Sequence, residues 1–486
     1  MTRDPDASVQ EYPALATRAA GGGVSRRNGR THTAAGAPPN GTKAPVAVDA
    51  TASARFMERA CACIAAGDSS TMRVMPYALP LVADRGEGSR LWDIGGREYL
   101  DLNMAYGPLI LGHRHPRIVE AVTRQINERG SQLGFPTEIT VRVAEKIKRL
   151  FPAMELMRFA NSGTEAVASA ARLARAYTDR PKVVLFEGHY HGWSEGLFNR
   201  YHAPLEDLPA GAYGQAIPGT AGMTRAIEDV LVCRWNDLDA LEALLADEGE
   251  QVACVIMEPI MGNAGVVPPR PGYLHGVREA TSKHGALLIF DEVITGLRVG
   301  PGGAQERYDV RPDLTVLSKA LGGGYPVAAF GGSRDIMRLI VDGTVFHGGV
   351  FSGNATVMAA AEAVLDEVIA HRSAMYGRLE DLGDALAAGL TQIMTGLGVP
   401  HVVNNVGPMV SLFLTDRPGA EITGYRDARA HGRFDRFIDL QHEVQAGGVF
   451  FHPNMFEPMY LSAVHTREDV DLALERIDAG ARTSLL

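Results

Sequence analysis

A lysine with three glycines close behind it, in LTVLSKALGGGYP, ends an apolar run at residues 314–317. Lysine is seldom fully buried without a partner. Partial desolvation of Lys319 would lower its pKa and leave the amine usable as a nucleophile or base. Gly322, Gly323 and Gly324 allow a sharp turn close to a ligand. The plainer reading is a loop lysine whose ammonium reaches water. Asp291 follows four apolar residues in LLIFDEVITG. An unpaired buried charge is very costly, so Asp291 reads either as half of a structural ion pair or as a carboxylate holding a proton on a heterocyclic nitrogen. In FANSGTEAV, Asn161, Ser162, Gly163 and Thr164 lead into a strong helical pattern. Exposed N–H groups and the helix dipole there suit an anion such as phosphate, although ordinary N-capping uses the same residue types. Tyr190 lies just beyond a further apolar run in FEGHYHGW, between His189 and His191, where its ring could stack on a flat group. Two histidines two apart with no third ligand do not make a metal site. The GHRHP at 112–116 is read in the same way, and no metal is expected.

A phosphate anchor, a carboxylate for a ring nitrogen, a stacking aromatic and an imine-forming lysine are together what pyridoxal phosphate requires. Strands and helices must bring them together. KVVLF (182–186), VACVIM (252–257), ALLIF (286–290), LTVL (314–317) and VAAFG (327–331) read as strands. Their unbroken apolar character suggests a parallel sheet buried on both faces. Helical patterns over 164–178 and 237–249 lie between them. This is an α/β pattern, in which ligands collect outside the carboxyl ends of the strands. Right-handed crossovers would bring Asp291 and Lys319, at the ends of successive strands, to one edge of the sheet.

Elsewhere, 54–67 has helical spacing with a stop at Gly67, and 89–102 reads as a hairpin around Gly95-Gly96. Residues 355–398 form long helices. PMVSLFLT reads as a strand, RFIDLQHEVQAGG as a helix, and a final helix starts near 467. Four units are expected: a flexible extension over 1–51, a segment over 52–104 packing with a small domain, a large cofactor-binding domain over 105–370, and a small α+β domain over 371–486. The formal net charge of −10 argues against a general nucleic-acid or anionic-membrane binder. No apolar run is long enough to span a bilayer. The N-terminus lacks the layout of a secretory signal. Cys61 and Cys63 form a single C-x-C without a second pair, a weak basis for zinc. Four cysteines in 486 residues do not make a disulfide framework, so a reducing cytoplasm is expected.

From about residue 68 to its C-terminus the chain resembles the class III (ω-amino acid) pyridoxal-phosphate aminotransferases of fold type I. Within them it is most similar to the glutamate-1-semialdehyde 2,1-aminomutase branch. The resemblance rests on NSGTEAV, FEGHYHG, EPIMGNAGVVPP, LLIFDEVITGLRVGPGGAQ, PDLTVLSKALGGGYPVAAFGG, FSGNA and FEPMYLSAVHT, in that order. It implies a large domain with a mostly parallel central sheet, a smaller α+β domain, and pyridoxal phosphate, with pyridoxamine phosphate as its alternate form. By this resemblance Lys319 matches the Schiff-base lysine and Asp291 the partner of the pyridine nitrogen. Val293 and Tyr190 match the two ring faces, and Ser162, Gly163 and Thr164 the phosphate loop. His191, Glu258 and Asn263 match positions near the cofactor. Ser70 and Arg73, in SSTMR, match a Ser-x-x-Arg that binds the substrate carboxylate, and Glu457 an acid at the substrate mouth. A homodimer with sites at the subunit interface is implied.

Two departures stand out. Val350 replaces a threonine whose hydroxyl reaches the partner's phosphate. Trp193 replaces a histidine after YHG, where a bulky indole near the mouth would favour an apolar or aromatic substrate. The expected activity is amino transfer between a carboxylate-bearing amine and a carbonyl acceptor in specialised metabolism. The alternatives are an intramolecular 2,1-aminomutase of the glutamate-1-semialdehyde type and, remotely, a non-catalytic cofactor-binding or scaffolding protein.

Overall fold

The structure, a computed structural model, describes residues 50–75 and 81–486. The extension read over 1–51 lies, except for its last two residues, outside the described residues. Among the described residues no helix is long and apolar enough to cross a membrane.

An eight-stranded sheet forms the centre. Its spatial order is Leu156–Ala160, Ala328–Gly332, Leu314–Leu317, Leu287–Asp291, Val252–Met257, Lys182–Phe186, Val230–Cys233 and Tyr213–Gln215. The five strands from Leu314–Leu317 to Val230–Cys233 run parallel to one another. Residues alternate between two apolar layers. Val183 and Leu185 face a core that includes Ala166, Ala170 and Leu173 of the helix Gly163–Thr178. Val184 and Phe186 face the other side, with Leu241 and Leu244 of the helix Leu238–Glu248. Burial on both faces explains why these strands read as continuous apolar runs.

The expected strand at 327–331 is present as Ala328–Gly332, but it runs antiparallel to Leu314–Leu317. The link between them, 318–327, is too short for a parallel crossover, which takes a dozen residues or more. The N-terminal helix spans Ala50–Cys61 and stops before Gly67, which instead closes a short 3₁₀ turn, Ala65–Gly67. The hairpin is Arg90–Asp93 against Glu98–Asp101. The Asp93 carboxylate accepts from the N–H groups of Gly95 and Arg97 at 2.9 Å and so fixes its turn.

Two smaller sheets hold the rest. Ala83–Glu87, Arg90–Asp93 and Glu98–Asp101 continue into Val449–Phe450, which pairs in parallel with Glu98–Asp101. His401–Val406, Met409–Leu414 and Met459–Tyr460 form the third sheet. The helices Ala355–Ala370 and Arg372–Gly396 connect the central sheet to it.

Immediately after Asp291, Glu292 is fully buried. Its carboxylate accepts from Thr295 Oγ and the Ala304 N–H, each at 2.7 Å, and from the Gln305 N–H at 2.9 Å and side-chain amide at 3.2 Å. It thereby seats the chain that leaves the central strand. Glu292→Gln keeps the shape but turns an amide toward these donors. Leaving buried donors unmatched costs about 1–3 kcal/mol. A urea titration should show a lower midpoint with an unchanged slope; an unchanged midpoint would deny Glu292 this role.

Candidate active site

The central strands place their carboxyl ends along one edge, and the chemistry collects there. Asp291 pairs in register with Val316, three residues before Lys319. A cavity of about 190 Å³ opens at this edge. Its walls carry Lys319, Asp291, Tyr190, Val293, Glu258, Asn263, Ser70, Arg73 and Glu457, all picked out by type or motif in the sequence. Met72, Tyr106 and Ile294 also line it and were not anticipated.

Asp291 is buried and its Oδ2 lies 2.8 Å from Nδ1 of His191, which is equally buried. Its Oδ1 accepts from the Val293 N–H at 3.1 Å. The partner of the buried acid is therefore a histidine, not the Arg or Lys that a structural ion pair would supply. Lys319 opens a 3₁₀ turn, Lys319–Gly322, with its own backbone at φ 38°. Ser318 Oγ anchors the turn by donating to the Val327 carbonyl at 2.7 Å. Burial holds the Lys319 amine below the ordinary lysine range, against the pull of Glu457, Glu258 and Asp291.

Glu258 organises the next wall. Its carboxylate accepts from the N–H groups of Tyr190 (2.7 Å), Gly262 (2.8 Å) and Asn263 (3.2 Å) and from the Asn263 side chain (3.0 Å). Its own N–H donates to His189 Nδ1 at 3.0 Å. Burial raises the Glu258 pKa even so, with His191 and these donors opposing. Burial also pushes the Tyr190 phenol up to about 12, helped by Asp291 and Glu457. Tyr190 therefore stays neutral at physiological pH.

Ser162 caps the helix Gly163–Thr178 by accepting from the Glu165 N–H at 3.3 Å, so the capping geometry is observed. The same end of the helix also abuts the site. A Cβ on Gly163 would come within 3.1 Å of the Val293 side chain. Gly192, at φ 84°, passes so near Thr164 that a Cβ there would lie 2.5 Å from Oγ1. Ser162, Gly163 and Thr164 thus sit on the flank of the cavity, next to Val293, not on its main wall.

Trp193 is a correction. Its indole is 71% exposed and does not line the cavity. Val350 is 80% exposed, on a segment tied to Gln132 through its carbonyl. Arg73 is on the wall, but its guanidinium is engaged by Asp68 at 2.7 Å, and the Asp68 carboxylate also accepts the Ser70 N–H at 2.8 Å. Burial raises the Asp68 pKa, but the bonds from Arg73 and Ser70 outweigh it and leave the pKa lowered. An exposed pair of this kind contributes only about 0.2–1 kcal/mol. A second carboxylate can therefore compete for Arg73 at little cost.

Comparison with known proteins agrees with this geometry. The model of the family "Aminotransferase class-III" matches residues 72–479. Glutamate-1-semialdehyde 2,1-aminomutase 2 of Brevibacillus brevis is 42% identical over 398 residues, 82% of this chain and 90% of that protein. An omega-transaminase from Sphaerobacter thermophilus superposes with a TM-score of 0.81 at 32% identity, covering 90% of this chain and 98% of the other. A variant glutamate-1-semialdehyde-aminomutase from Pseudomonas aeruginosa PAO1, solved in complex with PMP, superposes at 0.78 with 28% identity, covering 89% and 94%.

Glu457 supplies a pH test of the cavity. Burial pushes its carboxyl up to about 7 from the ordinary 4.5, with Lys319 opposing and Glu258 adding. The folded chain then holds a proton that the unfolded chain has released. Its contribution to stability is fully present below about 4.5 and is lost as pH rises through about 7. Glu457→Gln removes that slope. In urea titrations from pH 5 to 8 the variant should gain on the parent by roughly 2.5 kcal/mol. A constant difference across the range would mean that Glu457 does not titrate there.

Proposed function

The chain belongs to the class-III aminotransferase family of pyridoxal-phosphate enzymes, and on that footing we propose that it is a 2,1-aminomutase acting on glutamate 1-semialdehyde. The likeness to aminomutases at 42% identity over most of both chains carries this reading. It favours the intramolecular reaction over the two-substrate transfer that the departures at Val350 and Trp193 suggest. A second reading, transfer to a separate carbonyl acceptor, draws support from the likeness to the omega-transaminase.

The residues fit the cofactor. Asp291, hydrogen-bonded to His191, would hold a proton on the ring nitrogen. Val293 and Tyr190 would cover the ring. Ser162, Gly163 and Thr164, at a helix N-terminus, would take the phosphate, and Asn263 completes the seat. When bound, pyridoxal phosphate supplies an aldehyde carbon that takes up an amine and a ring that accepts an electron pair.

The chain's own residues do the rest. Lys319, its amine held below the ordinary lysine range by burial, would carry the proton off one substrate carbon and deliver it to another. Arg73, with Ser70 beside it, would take the substrate carboxylate in a two-point contact, displacing Asp68. Glu457 faces the same cavity as Lys319 and would hold a proton near the amino end. In the mutase reaction the amine leaves C2 and arrives at C1 of one molecule, which must stay bound between the two halves. A homodimer is part of the proposal. Phe135 (83%), Phe346 (80%), Val350 (80%) and Phe351 (62%) are exposed apolar side chains that a second copy would cover.

Two experiments test the reading. Glutamate 1-semialdehyde (4-amino-5-oxopentanoate) supplied with no other amine or carbonyl should give sustained formation of 5-amino-4-oxopentanoate. A single stoichiometric burst would mean that the enzyme needs a second substrate. Lys319→Ala should lower turnover by about 10³-fold or more; near-normal turnover would refute its role.

A further inference from the structure

Three stretches far apart in sequence meet at one phenol on the cavity wall. The Tyr106 hydroxyl lies 3.0 Å from the Met72 carbonyl and 3.1 Å from Nε2 of His452, with the two rings 5.2 Å apart. The hydrogen-bond directions follow from the partners. The Asn454 N–H donates to His452 Nδ1 at 3.1 Å, so that nitrogen is the acceptor and Nε2 carries the proton. Burial pushes the imidazole down to about 4, so it stays neutral and keeps this tautomer. His452 therefore donates from Nε2, towards the phenol oxygen and also to the Met72 backbone, and the phenol donates to the Met72 carbonyl. One end of the chain of bonds lies in the Ser70–Arg73 turn. The other lies at Asn454, whose carbonyl accepts the Glu457 N–H at 2.9 Å.

The backbone that presents Tyr106 is strained. Met104, Ala105 and Tyr106 are three successive non-glycine residues at φ 47°, 56° and 65°. A left-handed L-residue costs roughly 1–2 kcal/mol, so the run persists only because its surroundings hold it. Asp101 accepts from the N–H groups of Asn103 and Met104 at 2.8 and 2.9 Å. The fully buried Arg298 donates to the Gly107 carbonyl and, at 2.6 Å, to that of Leu461. Tyr106 is thus held from below by two buried charged side chains while its hydroxyl bridges the two walls above.

We propose that Tyr106 is a positioning and specificity-determining residue, whose hydroxyl, together with the His452 ring it bonds, locks the Ser70–Arg73 turn to the segment bearing Glu457. Arg73 and Glu457 are then held at a fixed separation, and the cavity selects carboxylates whose reacting carbons span it. The proposal rests on reading Arg73 as the carboxylate anchor. A phenylalanine keeps the ring and loses both bonds.

The test uses the holoenzyme with matched cofactor absorbance, titrated with pentanoate and with uncharged pentanamide as probes. Tyr106→Phe should weaken pentanoate about tenfold and leave pentanamide unchanged. With glutamate 1-semialdehyde, KM should rise several times more than kcat falls. His452→Ala, which also removes the bond from its own ring to the Met72 backbone, should weaken pentanoate at least as much, and the double variant should be no worse than His452→Ala, because the phenol acts through that ring. His452→Gln, whose side-chain amide can still donate to the phenol, should recover most of the loss. Equal weakening of both probes, additive losses, or no change in pentanoate binding would overturn the proposal while Arg73→Ala still abolishes discrimination between the probes. If Arg73→Ala leaves that discrimination intact, the anchor reading falls and the proposal falls with it.

Discussion

The arrangement depends on a carboxylate buried at the end of a central strand. A carboxylate buried there needs a partner, and the 2.8 Å contact with His191, on the loop after Lys182–Phe186, supplies one. That pairing draws the loop after Lys182–Phe186 over the edge of the sheet and so brings Tyr190 to the cavity. Glu258, from the next strand, fastens the same loop through the Tyr190 N–H. Three successive strand ends are therefore tied by side chains of the residues that also form the wall. The strength of the seat comes from burial as much as from the bonds, because a low-dielectric surrounding raises the cost of separating any of these pairs.

The cavity has two kinds of wall. The groups that suit the cofactor come from residues 162–319, at the carboxyl edge of the large sheet. Those that suit a substrate come from residues 68–73, 104–107 and 452–461. Arg298 connects the two sets. It leaves the strand that ends in Asp291 and reaches carbonyls at Gly107 and Leu461. Burial lowers its pKa to about 10, which still leaves it charged at neutral pH, so its charge is solvated by backbone dipoles.

Much of the first set was legible in the sequence, since each residue stands directly after a continuous apolar run. Asp291 and Lys319 follow from local pattern plus the handedness of parallel crossovers, and their register confirms the geometry. The edge strand Leu156–Ala160 was missed because the exposed Arg158 interrupts its apolar character and Leu156 and Met157 are only half-buried. The second set was largely illegible. Tyr106 carries no cue beyond the Gly-Pro that follows, and its importance comes from His452, 346 residues away. Asp68, which occupies Arg73, belongs to none of the motifs read from the sequence. Trp193 misled for the opposite reason: its neighbours belong to the site, but its own indole is exposed.

The parallel pairing of Glu98–Asp101 with Val449–Phe450 has a consequence for how the molecule is made. A ribosome delivers the early hairpin some 350 residues before the strand that completes its sheet. Until then the hairpin's inner edge is unpaired, a template for the wrong neighbour. The chamber assembled from both ends of the polypeptide is thus the last part to take shape, and a nascent chain that stalls short of residue 449 has a cofactor seat with no lid to its substrate side.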